Sequence, residues 1–88
     1  MTYKPNRITS LSPNPTTGQV EVEYKINEGE SAYLAVISME NPNISDNYIL
    51  DMEESVFDLN IDNLSTGIYA VALIVNGRIV DTKNLIKN

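Results

Sequence analysis

In Gln19-Val-Glu-Val-Glu-Tyr-Lys-Ile26, apolar and polar residues alternate without a break: Val20, Val22, Tyr24 and Ile26 against Glu21, Glu23 and Lys25. Successive side chains of a strand point to opposite faces, so a period of two describes a strand with one buried and one wet face. Such a strand must set its apolar side against a second layer. Further strand-like segments are Ile8–Leu11, Ala32–Met39, Asn47–Met52, Val56–Ile61, Ile68–Val75 and Arg78–Ile86.

Turn chemistry separates these segments: Pro13-Asn-Pro15 with Gly18, Glu28-Gly29, Glu40-Asn-Pro-Asn43, Glu53-Glu-Ser55, Ser65-Thr-Gly67 and Asn76-Gly77. Asn76-Gly77 is the sharpest, because both residues tolerate the positive φ of a type I′ hairpin. Seven short strands with no helical segment predict an all-β fold, an immunoglobulin-like antiparallel β-sandwich; a five- or six-stranded barrel is the competing architecture. With 88 residues the chain is one small domain. Residues 8–88 form the expected sandwich, and residues 1–7, with Pro5 and polar neighbours, read as a tail or linker remnant. In Leu64-Ser-Thr-Gly-Ile-Tyr69, Leu64 is expected to plug the core and Gly67 to permit the turn. Tyr69 is expected to pin the arch between sheets through its hydroxyl, ahead of an inward set of Val71, Leu73 and Val75.

Composition removes whole function classes. The chain has no His and no Cys, which excludes zinc fingers, Ser-His-Asp and Cys-His catalysis, haem ligation and disulfide scaffolds. A net charge of −6 disfavours nucleic-acid phosphate as a partner. The longest apolar run, Ile68 to Val75, is strand-sized and far short of the ~20 residues that cross a bilayer as a helix. The acids concentrate in the middle: residues 21–62 hold eleven against Lys25 alone, between two basic ends. A solvated surface accounts for that pattern.

If Leu34 and Val36 point inward, Tyr33, Ala35, Ile37 and Met39 form an outer face, beside Ile68, Ala70, Ala72 and Ile74 of the strand before the hairpin. These merge into an apolar patch unless loops cover it, and such a patch docks a partner or mediates a weak homodimer. Carboxylates offer less. Asp58 and Asp62 straddle a strand end, and Asp51, Glu53 and Glu54 share a loop. A thin sandwich rarely holds two acids across a cleft as a glycosidase does, and no segment has the spacing of an EF-hand. No catalytic residue, metal site or cofactor is therefore assigned. Asn43-Ile-Ser45 and Asn63-Leu-Ser65 match glycosylation tripeptides, which matter only in a eukaryotic secretory context.

Three blocks carry a family resemblance. Ser12-Pro-Asn-Pro-Thr-Thr-Gly18 before the Gln19–Ile26 strand resembles the opening of the type A C-terminal sorting domains of the bacterial type IX (Por) secretion system. Asn63-Leu-Ser-Thr-Gly-Ile-Tyr-Ala-Val71 is similar to the family's Leu-x-x-Gly-x-Tyr motif. Asn76-Gly-Arg-Ile-Val80 running to Lys83-Asn-Leu-Ile-Lys87 resembles its closing hairpin and lysine-bearing last strand. Two positions depart from the pattern. Ser12 stands where an aromatic residue is usual, and Ser38-Met-Glu-Asn-Pro42 replaces an Asp-x-x-Gly turn, so that the middle hairpin is expected to be longer or irregular.

The resemblance implies a non-catalytic signal at the C-terminus of a larger cargo protein of Bacteroidetes. Such a domain crosses the periplasm with its cargo and is recognised by the outer-membrane translocon. A sortase-like peptidase then removes it, leaving cargo at the cell surface or outside. The recognition candidates are Pro13, Asn14, Pro15, Gly18, Leu64, Gly67, Tyr69, Gly77, Lys83, Leu85, Ile86 and Lys87. The final strand Thr82–Asn88 is expected to be lightly held at a sheet edge, with Lys83 and Lys87 outward, as a template for a receptor strand. The alternative is an immunoglobulin- or fibronectin-like accessory module of an extracellular enzyme or adhesin, for which Tyr33 and Tyr48 are the surface aromatics.

Overall fold

The computed structural model describes residues 6–27, 31–43, 45–50 and 55–88. Among them run seven strands: β1 (Arg7–Ser12), β2 (Gln19–Lys25), β3 (Ala32–Ser38), β4 (Ser45–Ile49), β5 (Val56–Asn60), β6 (Gly67–Val75) and β7 (Arg78–Lys87). They form two antiparallel sheets, ordered β1-β2-β5 and β4-β3-β6-β7. The chain changes layer after β2, β4 and β5, as in immunoglobulin-like sandwiches, with the fourth strand in the second sheet. This is the architecture that the period-two segments predict.

The alternation in β2 translates directly into burial. Val20, Val22 and Tyr24 are buried, while Gln19, Glu21, Glu23 and Lys25 are exposed. Across the core, β3 and β6 pair in unbroken register from Ala32 opposite Val75 to Ser38 opposite Tyr69. That register sets Leu34, Val36, Val71 and Leu73 against Ile8, Val22, Tyr24 and Leu59 of the other sheet. Each fully buried aliphatic side chain of this set contributes about 1.5–3 kcal/mol. Among the described residues, no buried side-chain nitrogen or oxygen lacks a hydrogen-bond partner.

The turns follow their residues. Asn76 (φ 53°) and Gly77 (φ 81°) join β6 to β7 with the two positive φ values of a type I′ hairpin. Beyond it the register slips by one residue: Ile74 faces Ile79 but Leu73 faces Asp81, so a bulge forms at Val80. The irregular link after β3 is held by side chains. Ser38 Oγ accepts the Asn41 N–H at 3.1 Å, and Asn41 Oδ1 accepts the Asn43 N–H at 3.3 Å. These small Ser and Asx turns replace the missing glycine.

Two boundaries move from their expected places. β4 starts at Ser45, not Asn47, because an edge strand pairs through its backbone and needs no apolar alternation. At the other end, Asn6 is buried and its side-chain oxygen accepts the Asn27 N–H, while Arg7 already pairs with Lys25. The folded part therefore opens before residue 8. The remainder of the expected tail, residues 1–5, and the acidic loop of Asp51, Glu53 and Glu54 lie outside the described residues.

Candidate functional site

Between β1 and β2 the chain runs along the outer edge of β7. Pro13 and Pro15 are exposed, each preceded by a cis peptide bond, and neither has an N–H to offer. Asn14 supplies hydrogen bonding between them. Its amide donates to the Asn84 carbonyl at 2.9 Å, and its Oδ1 accepts the Ile86 N–H at 3.0 Å. One side chain thus offers a donor and an acceptor as a neighbouring strand would. Two residues on, the main chain takes over: the Thr16 N–H donates to Ile86 O and the Asn88 N–H donates to Thr16 O, both at 2.8 Å. Together they make a parallel bridge between Thr16 and Lys87.

Thr16 is buried and fixes the return into β2. Its hydroxyl donates to Gln19 O at 2.8 Å and accepts the Gly18 N–H at 3.0 Å. Gly18 O in turn accepts the Ile61 N–H at 2.7 Å, tying this turn to the end of β5. A Cβ on Gly18 would stand 1.6 Å from a carboxylate oxygen of Asp62, so any larger residue makes that exposed side chain swing aside. From Ile61 the chain turns through Leu64, whose N–H donates to Ile61 O at 3.0 Å and whose side chain packs half-buried on the core. The Tyr69 hydroxyl donates to the Ser65 carbonyl, four residues upstream, and forms the expected corner.

Lys87 closes the arrangement. Its side chain is only 8% exposed, and its ammonium donates to the carbonyls of Asp62, at 3.0 Å, and Leu64. This overturns the expectation of an outward Lys87. The register places it on the inner side of β7, two residues from buried Leu85, and the turn carbonyls after β5 supply its acceptors. The lightly held last strand is corrected too: β7 pairs with β6 on one side and is clipped by Asn14 and Thr16 on the other. Nearer the hairpin, Asp81 Oδ2 accepts the Ile8 N–H of β1 at 2.8 Å.

Pro13, Asn14, Pro15, Gly18, Leu64, Gly67, Tyr69, Leu85, Ile86 and Lys87 therefore gather at one pole of the sandwich, with Gly67 opposite Lys87. Gly77 lies at the far end of the β6–β7 hairpin, and Lys83 is exposed in mid-strand opposite Val71, so neither belongs to the pole. Thr16, Ile61, Asp62 and Asn84 also belong to it, although the sequence motifs do not single them out. The Thr16-Thr-Gly18 pattern of a hydroxyl-capped turn is the signal for the first of them.

Elsewhere, Tyr33, Ala35 and Ile37 lie beside Ile74, Ala72 and Ala70 on the outer face of the second sheet, as expected, with Ile68 at the end of the row. Ala35 and Ala72, however, are buried, because their short side chains sit below larger neighbours. Tyr48 is no surface platform: it faces Leu34's side of the pairing and packs on Phe57 with ring centroids 5.6 Å apart. Burial, and secondly the nearby Asp46 charge, raise its phenol above the usual ionisation range. Asp58 stands opposite Glu21 on the first sheet's wet face. Among the described residues, no group of three or more Asp or Glu could hold a metal ion.

No curated protein and no solved structure gave a match. The family described as "Secretion system C-terminal sorting domain" matches over residues 10–88, a span that begins in β1, takes in all the other strands and contains the whole pole. The chain belongs to the C-terminal sorting domains of type IX secretion, the signals that mark bacterial proteins as secretion cargo for the cell surface or the exterior.

Proposed function

We propose that this domain is a non-catalytic address label, carried folded by an upstream cargo protein across the periplasm to the outer-membrane translocon. A sortase-like peptidase then cuts it away, and the cargo stays on the surface or is released. The observation that carries this reading is the pole: three separated sequence blocks interlock there through backbone carbonyls, one asparagine side chain and one lysine. Such a lock presents a fixed shape, and its Asn, Thr and Lys groups are occupied in holding the chain together. Shape recognition of a rigid pole replaces the receptor-strand pairing expected at the end of β7, since that edge is already bonded from Asn84 to Asn88.

The test is a reporter fusion. A periplasm-targeted fluorescent protein joined to residues 1–88 is expressed in a bacterium with a working type IX system. Reporter in the medium or on the surface, lost in a strain lacking the translocon, supports the proposal. Retention in the periplasm with the domain intact and folded sinks it.

A further inference from the structure

The outer face of the β4-β3-β6-β7 sheet is uncharged. By register, every strand position directed to it is apolar, small or neutral polar among the described residues. Of the seven large apolar side chains exposed among them, only Val56 belongs to the other sheet. The opposite wall of the sandwich is the reverse, with Glu21, Glu23 and Asp58 exposed beside Arg7 and Lys25.

The face has relief. One end is a ridge of Ile49, Tyr33, Ile74 and Ile79 in a single row, with Ile49 88% and Ile79 65% exposed. The other end is a ridge of Met39, Ile68 and Ile86, each between 41% and 55% exposed. Between them lie buried Ala35 with Ala72, and Ala70 with half-buried Ile37; the alanines leave a trough. We infer that this face docks against a second copy of the same chain, an isoleucine ridge of each copy seated in the alanine trough of the other.

Three physical points select this occupant. The surface contains both the projection and the depression that a self-complementary contact needs, and sheets pack face to face only when side chains fill the ~10 Å between them. The four strands, five to ten residues long at ~4.8 Å spacing, span on the order of 500 Å². That lies below the ~800 Å² per partner of a standard stable interface and fits a weak, reversible dimer. Charge agrees as well. Each copy carries −6, and joining uncharged faces holds the two charged walls, each with three acids against two bases, roughly 30 Å apart, beyond the ~8 Å screening length at physiological salt.

Sedimentation equilibrium of the 88-residue chain from about 1 to 500 μM tests the inference. The expected result is a reversible dimer that tightens as salt rises. Ile49→Lys and Ile68→Lys, at exposed positions and checked for folding by circular dichroism, each weaken it by roughly 30-fold or more. Val56→Lys on the other wall leaves it unchanged. A monomer throughout the range overturns the inference, as does a dimer that ignores both face substitutions or loosens with salt. Radical footprinting of Met39 is an independent measurement. Protection that rises with concentration supports the dimer, whereas protection seen only when an upstream segment is attached assigns the face to the cargo and overturns it.

Discussion

Lys87 is a charged residue in a buried setting, and the two turn carbonyls make it tolerable there. Lys87→Met keeps the aliphatic stem but removes the ammonium, leaving Asp62 O and Leu64 O without that donor. The expected loss is about 1–3 kcal/mol, and Tm from thermal circular dichroism falls by several degrees for each kcal/mol in a domain of this size. An unchanged Tm means that water replaces the ammonium and that Lys87 is not a structural residue. Tyr48 gives a prediction with a definite sign. Its phenol ionises at higher pH folded than unfolded, through burial first and the Asp46 carboxylate second. Its contribution to stability is therefore intact below about pH 10 and withdrawn as pH climbs through the folded value. Denaturant midpoints measured from about pH 9 to 11 should decline in the native chain and decline less in Tyr48→Phe. Equal declines would remove Tyr48 as their source.

Among the elements, β7 shows how an edge is made safe. A free edge strand offers unpaired N–H and C=O groups to any other chain, and here Asn14 and Thr16 occupy them from Asn84 to Asn88. Asn14→Ala removes both side-chain bonds. The Ile86 amide should then exchange roughly 10- to 100-fold faster while Leu73, in the middle of β6, keeps its protection. Asn14→Asp still accepts from Ile86 but cannot donate to Asn84, and should fall between the two. If Ile86 exchange is unaffected by Asn14→Ala, the clip is not what covers the edge. What could be read from sequence divides along the same line. The alternation of β2, the Asn76-Gly77 hairpin and the Tyr69 corner are written in neighbouring residues, so their geometry is local and legible. The clip joins residues 72 apart, and the Lys87 anchor joins residues 25 and 23 apart. No short-range pattern encodes such pairings, and a lysine near the end of a strand expected at a sheet edge reads as outward. The start of β4 escaped for a related reason: Ser45, Asp46 and Asn47 form a strand because β3 lends them a backbone partner.

At the scale of the molecule, the first turn and the last strand hold each other, so the C-terminal residues are structural before they are anything else. A domain of this length has a net stability of about 4–13 kcal/mol. Deleting Lys83–Asn88 removes fully buried Leu85, the Lys87 anchor and every partner of the Asn14 and Thr16 clip. It also strips β6 of its pairing from Val71 to Gly67. A core leucine alone is worth about 2–5 kcal/mol, so the truncated chain should lose cooperative thermal unfolding and the amide dispersion of a folded β protein. Lost export of a truncated fusion would then report an unfolded signal, and would say nothing of which surface the secretion system recognises. Lys83→Ala, at an exposed position outside the pole, should keep both the fold and its Tm within about a degree, as surface changes usually do. Export measured on such folded point variants separates recognition from folding. A truncated chain that still melts cooperatively near the native Tm would show that the pole does not lock the sandwich.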